Sequence, residues 1–102
     1  MQASLINKLQ ALVDRRAEIE RELSDPAVAA DADRFKRLSQ EYAGLGPSVE
    51  AFAAWQAVLS EIDDLQAMQR DPDEEMRAIA KQELEDAQTR RAALEQQLQL
   101  AL

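Results

Sequence analysis

Apolar residues recur along this chain at steps of three and four, the period of an α-helix, and two short polar breaks divide them into three runs. The breaks are Ser24-Asp25-Pro26 and Arg70-Asp71-Pro72. In the first run Leu5, Leu9, Leu12, Ile19 and Leu23 lie on one stripe, with Arg16 filling its gap, which predicts a helix over about 3–23. Asp25 before Pro26 reads as an N-cap before proline at the first helical position, giving a brief turn through Val28 to Ala30. The second run reads Phe35, Leu38, Tyr42, Leu45, Val49 and Phe52, then Trp55, Leu59, Ile62 and Leu65, a helix over about 32–69 capped by Asp31 or Asp33. The third reads Ala80, Leu84, Ala87, Arg91, Leu94, Leu98 and Ala101, with Met76 and Ile79 beside it. Here Asp71 is the expected cap, Pro72 the first helical residue and Glu74 the capping-box partner, so this helix covers about 72–101.

The segment Gly44-Leu45-Gly46-Pro47 has loop composition, yet the three-four phase passes through it without a slip. Proline inside a helix costs about 3 kcal/mol, which packing along a long apolar seam can outweigh. One long helix kinked near Pro47 is the reading; two helices broken at Leu45 to Ser48 is the alternative. Short connections make successive helices antiparallel. The fold class expected is all-α, an antiparallel three-helix bundle extended by a two-helix coiled-coil hairpin whose tip is Gln69 to Pro72. In the thinner half Val58, Met68, Met76 and Ile79 should keep some exposed surface, and the isolated chain has a homodimer as an expected partner state. Residues 1–102 form one helical domain in this reading, and the pattern running on to Leu102 suggests a piece of a longer multidomain protein.

Composition narrows the chemistry. There is no His or Cys, and Gly44 and Gly46 are the only glycines. A metal site, a thiol nucleophile, an imidazole base and a glycine-lined phosphate loop are therefore not expected, and no catalytic residue, cofactor or metal ligand is assigned. Hydrophobic residues make up 46% of the chain but aromatics only 4%, the Ala- and Leu-rich balance of long helices. No run approaches the length of a membrane span and no secretion signal opens the chain, so the expected compartment is the cytoplasm.

Charge adds a constraint on partners. The net charge is −8, with four basic against eight acidic residues from Asp71 onward. Such a chain repels nucleic acid at long range, which argues against DNA and leaves any RNA contact local. Acidic pairs such as Asp63-Asp64 read as solvated helix surface. Arg34, Lys36 and Arg37 are less ordinary, since basic residues in a first turn oppose the helix dipole. Either Asp31 and Asp33 neutralise them or they are candidate contacts to a partner or a phosphate. Arg16 and Arg91 fall on seam positions, where their stems pack while the heads reach water, or where an interhelical ion pair sets register. Trp55 and Tyr42 read as core.

One stretch is more specific. Asp25-Pro26-Ala27-Val28, followed by Asp33-Arg34-Phe35-Lys36-Arg37-Leu38-Ser39-Gln40-Glu41-Tyr42-Ala43-Gly44-Leu45, resembles the amino-terminal domain of bacterial class I peptide chain release factors. Leu9-Gln10-Ala11-Leu12, Trp55-Gln56, Asp71-Pro72 with Met76-Arg77 and Gln82-Glu83-Leu84, and Leu94-Glu95-Gln96-Gln97-Leu98 fit the same pattern, so the resemblance covers essentially the whole chain. It is closest to the type reading UAA and UAG. The UGA-reading type usually carries a Trp shortly after the Asp-Pro, where this chain has Val28-Ala29-Ala30. The resemblance implies a translation termination factor that reads a stop codon with a Pro-x-Thr-type tripeptide and releases the nascent peptide with Gly-Gly-Gln. Neither motif occurs here, so the implied role is a non-catalytic interaction module. Its implied partners are the ribosomal stalk base and the companion GTPase release factor. A tRNA-binding helical arm, like that of seryl-tRNA synthetase, and a structural coiled-coil dimerisation module are the rival readings. The first of these should carry basic residues along the hairpin.

Overall fold

The computed structural model describes residues 1–102, and the expected all-α class holds. Four helices follow in order: α1 (Ala3–Leu23), α2 (Pro26–Ala29), α3 (Ala32–Met68) and α4 (Glu74–Ala101). The chain divides into two compact units, Met1–Glu50 and Ala51–Leu102.

In the first unit α1 and the early turns of α3 run antiparallel. Arg15 pairs with Glu41 and Glu22 with Arg34, so residue numbers rise on one helix as they fall on the other. Asp25 accepts from the Ala27 N–H at 2.9 Å and Pro26 takes the first helical position, as the sequence predicted for the short α2. This turn places Val28 over Ile19 and Leu38, and Leu23, Tyr42 and Leu45 pack against that cluster. Of the two expected caps for α3, Asp31 fills the role, accepting from the Arg34 N–H at 3.2 Å.

α3 continues unbroken through Pro47. Two features make this tolerable. Pro47 and Ala43 are both on the exposed side of the helix, so water can serve the carbonyl that proline leaves without its helical donor. Neither glycine has a positive φ, so neither serves a left-handed turn. A Cβ on Gly44 would meet nothing within 4 Å, whereas one on Gly46 would lie 3.2 Å from Arg16 Nη2. Gly46 is small because Arg16 lies against it.

The second unit is a two-helix hairpin. Trp55 contacts Glu95 and Glu61 contacts Arg90, again the reversed order of an antiparallel pair. Its core is Val58, Ile62, Leu65 and Ala87, with Met68, Leu84 and Leu94 packed against it. Phe52 and Trp55 stack with centroids 5.8 Å apart. Val58, expected to keep exposed surface, is 2% exposed, because the four-residue step to Ile62 puts it on the buried stripe; Ile79 does remain 43% exposed.

The connection departs from the expected capping box. Asp73, not Asp71, is the N-cap of α4, accepting from the Glu75 N–H at 2.9 Å, and Pro72 lies ahead of the helix. Asp71 instead accepts from the Asp73 N–H at 2.8 Å, closing a turn one step earlier. Arg77 Nη1 donates back to the carbonyls of Asp71 and Pro72 at 2.8 and 3.0 Å. Two Asp residues spaced two apart offer rival caps, and the second is followed by the residues that continue the helix.

Candidate functional site

The sequence singles out Arg34, Lys36 and Arg37, three basic residues within one turn of α3. The fold separates them. Successive helical residues rotate by about 100°, so Arg34 and Arg37 share a side while Lys36 is turned well away from both. Arg34 and Arg37 line a groove of about 410 Å³ between α1 and α3, together with Arg15, Glu22, Glu41 and Leu38. Lys36 is exposed and does not line it.

The walls of this groove differ in how firmly they are held. Arg15 Nε and Nη2 donate to the two oxygens of Glu41 at 2.9 and 2.8 Å, a bidentate pair, while Nη1 donates to Glu18 at 3.1 Å. Hydrogen bonding from Arg15 holds the Glu41 carboxyl below the usual carboxylate range, and the same bond raises the Arg15 guanidinium. Arg34 stands 3.7 Å from Glu22, a looser contact. Asp31 serves the Arg34 backbone, and the ion pair at this basic turn is that of Arg34 with Glu22 on α1. Arg37 forms no ion pair. The groove therefore has one fixed guanidinium, one loosely held and one free, over a floor formed by nearly buried Leu38. Such an arrangement can receive an anionic oxygen group.

Arg15, Glu22 and Glu41 were missed by sequence reasoning. Arg15 and Glu41 are 26 residues apart, and only the register of α1 against α3 brings them together.

The two seam arginines resolve differently from each other, and neither forms the interhelical ion pair; Arg91 stays 37% exposed, as a head reaching water requires. Arg16 lies with Cζ 4.2 Å above the centre of the Tyr42 ring, and its buried Nε has no hydrogen-bond partner. It makes a cation–π contact in place of an interhelical ion pair. Arg91 pairs with Glu95 four residues on along its own helix, at 3.0 Å. Glu95 also accepts from Trp55 Nε1 at 3.1 Å, which satisfies the indole of a buried side chain. These bonds, that from Trp55 first, draw the Glu95 carboxyl below its ordinary value.

The second unit has a groove of about 310 Å³ with an apolar floor of Ala54, Val58, Ala93 and Leu94 and a rim of Arg90 and Gln97. Arg90 is engaged with Glu61 at 2.8 Å, and that bond lowers the Glu61 carboxyl and raises Arg90. No three His, Cys, Asp or Glu side chains are grouped to hold a metal ion, and no helix is long and apolar enough to cross a membrane.

The chain is all-helical and carries an ionic groove in its first unit and an apolar one in its second. A family model described as the PCRF domain matches residues 12–102, and the chain belongs to the peptide chain release factor family. That family acts in translation termination, and membership implies interaction with the ribosome. No solved structure matches the chain.

Proposed function

We propose that this chain is the amino-terminal helical domain of a cytoplasmic release factor of the type reading UAA and UAG, and that it acts there as a non-catalytic interaction module. The observation that carries the reading is the family match over residues 12–102 in a chain without adjacent glycines or a Pro-x-Thr-type tripeptide. Codon reading and peptide release then belong to other domains of the parent protein. The expected partners are the ribosomal stalk base and the companion GTPase release factor. Val28-Ala29-Ala30, standing where the UGA-reading type usually carries Trp, supports the UAA/UAG assignment.

The test uses ribosomes carrying peptidyl-tRNA at a stop codon. The chain alone should release no peptide above background, and in excess it should slow release by an intact factor of the same type. Codon-dependent release by the chain would overturn the assignment, as would an excess that leaves the intact factor's rate unchanged.

A further inference from the structure

The acidic character of this chain is unevenly distributed. Residues 1–50 hold seven basic and nine acidic side chains, whereas residues 51–102 hold five against eleven. Electrostatic resistance to a polyanion is therefore concentrated in the second unit, and the first is close to neutral. The groove between α1 and α3 goes further, with three arginines against two glutamates, and its cation Arg37 has no carboxylate partner.

We infer that this groove is a binding site for a phosphodiester group of ribosomal RNA, contacted by Arg37 and Arg34 and shaped by Arg15. The inference rests on the ribosome-facing role proposed above and adds the site and its ligand class. A planar guanidinium matches two phosphate oxygens with parallel N–H donors, and Arg37 has that fork free. Arg34 can turn from Glu22 toward an entering anion, because a contact of 3.7 Å gives up little when it opens. Arg15 is a positioning residue: its two bonds to Glu41 keep that carboxylate directed at α1 and away from the incoming phosphate. A volume of about 410 Å³ admits a phosphate with its flanking sugars. An acidic protein segment would be recognised by the same guanidinium groups; RNA is favoured because release factor family membership itself implies the ribosome as partner.

The experiment measures binding of the 102-residue chain to 70S ribosomes as a function of salt. Arg34→Gln with Arg37→Gln should weaken binding about tenfold and flatten the plot of log affinity against log salt by about one unit, the contribution of one phosphate. Lys36→Gln, on the same turn but outside the groove, should change affinity less than twofold. The chain has no cysteine, so Asp33→Cys provides a single attachment point for iron-EDTA beside the groove. Strand cleavage of ribosomal RNA from that position, and much less from Gln82→Cys on α4, is the expected result. Unchanged binding by the double variant, or Lys36→Gln as damaging as the double variant, would overturn the groove and leave the ribosomal role standing. Weakened binding without RNA cleavage would overturn RNA in favour of an acidic protein segment. Failure of the unsubstituted chain to bind ribosomes would overturn the proposed function itself.

Discussion

Replacing each of the two glycines by alanine should have different consequences, and the difference isolates one contact. Both lie inside α3 with ordinary negative φ, so each substitution gains the helix propensity of alanine over glycine, about 1 kcal/mol. At Gly44 the new methyl meets nothing within 4 Å, and the gain should be realised in full. For a chain of this size that corresponds to a rise in Tm of roughly 4 °C. At Gly46 the methyl arrives 3.2 Å from Arg16 Nη2, closer than ordinary van der Waals contact. The guanidinium must shift, and it is held over Tyr42 at 4.2 Å in a contact of about 0.5–2 kcal/mol. Loss of that contact offsets the propensity gain, so Gly46→Ala should leave stability near that of the parent or below it. In an Arg16→Met background, which keeps the apolar stem and removes the obstructing head, Gly46→Ala should recover about 1 kcal/mol. Urea melts followed by far-ultraviolet circular dichroism measure all four variants. Equal stabilisation by both alanines with Arg16 present would show that Arg16 does not lie against Gly46. Destabilisation by Gly44→Ala would show that this segment is not helical.

Three further outcomes follow from named residues. Pro47→Ala should stabilise the chain by about 1–3 kcal/mol in urea melts, since it restores a helical donor, whereas a loop at this position would lose stability with its proline. Asp73→Ala should cost about 1 kcal/mol and Asp71→Ala less, in the same assay, because Asp73 is the cap of α4. Glu95 should contribute to acid sensitivity: its carboxyl is lowered in the folded chain, so its contribution is fully present above the ordinary value of 4.5 and is lost as pH falls through the lower folded value. Trp55 fluorescence monitored in pH-dependent urea melts should show a smaller loss of stability below that pH for Glu95→Gln than for the parent.

Much of the fold was readable because the apolar period was regular. Phe52, Trp55, Ile62 and Leu65 are buried as the three-four spacing required, although Val58 takes the buried place expected of Leu59, which is only half-buried; the phase through Gly44 to Pro47 correctly favoured helix over a composition typical of loops. What failed depended on local competition or on tertiary register. Asp71 and Asp73 both satisfy the local rule for a cap, and sequence alone does not rank two acceptors two residues apart. Phe35 continues the seam in phase but is 42% exposed, and the residues packed on the cluster of Ile19, Val28 and Leu38 are Leu23, Tyr42 and Leu45. The groove was half legible. Arg34 and Arg37 stood out as basic residues against a helix dipole, but Arg15 and Glu41 acquire meaning only when α1 and α3 are paired.

In the proposed role this chain engages the ribosome without reading a codon or releasing a peptide. Equilibrium co-sedimentation of the 102-residue chain with ribosomes whose A site holds a stop codon or, in parallel, a sense codon should give saturable binding of equal affinity to both. No binding to either, or binding confined to the stop codon, would refute that role.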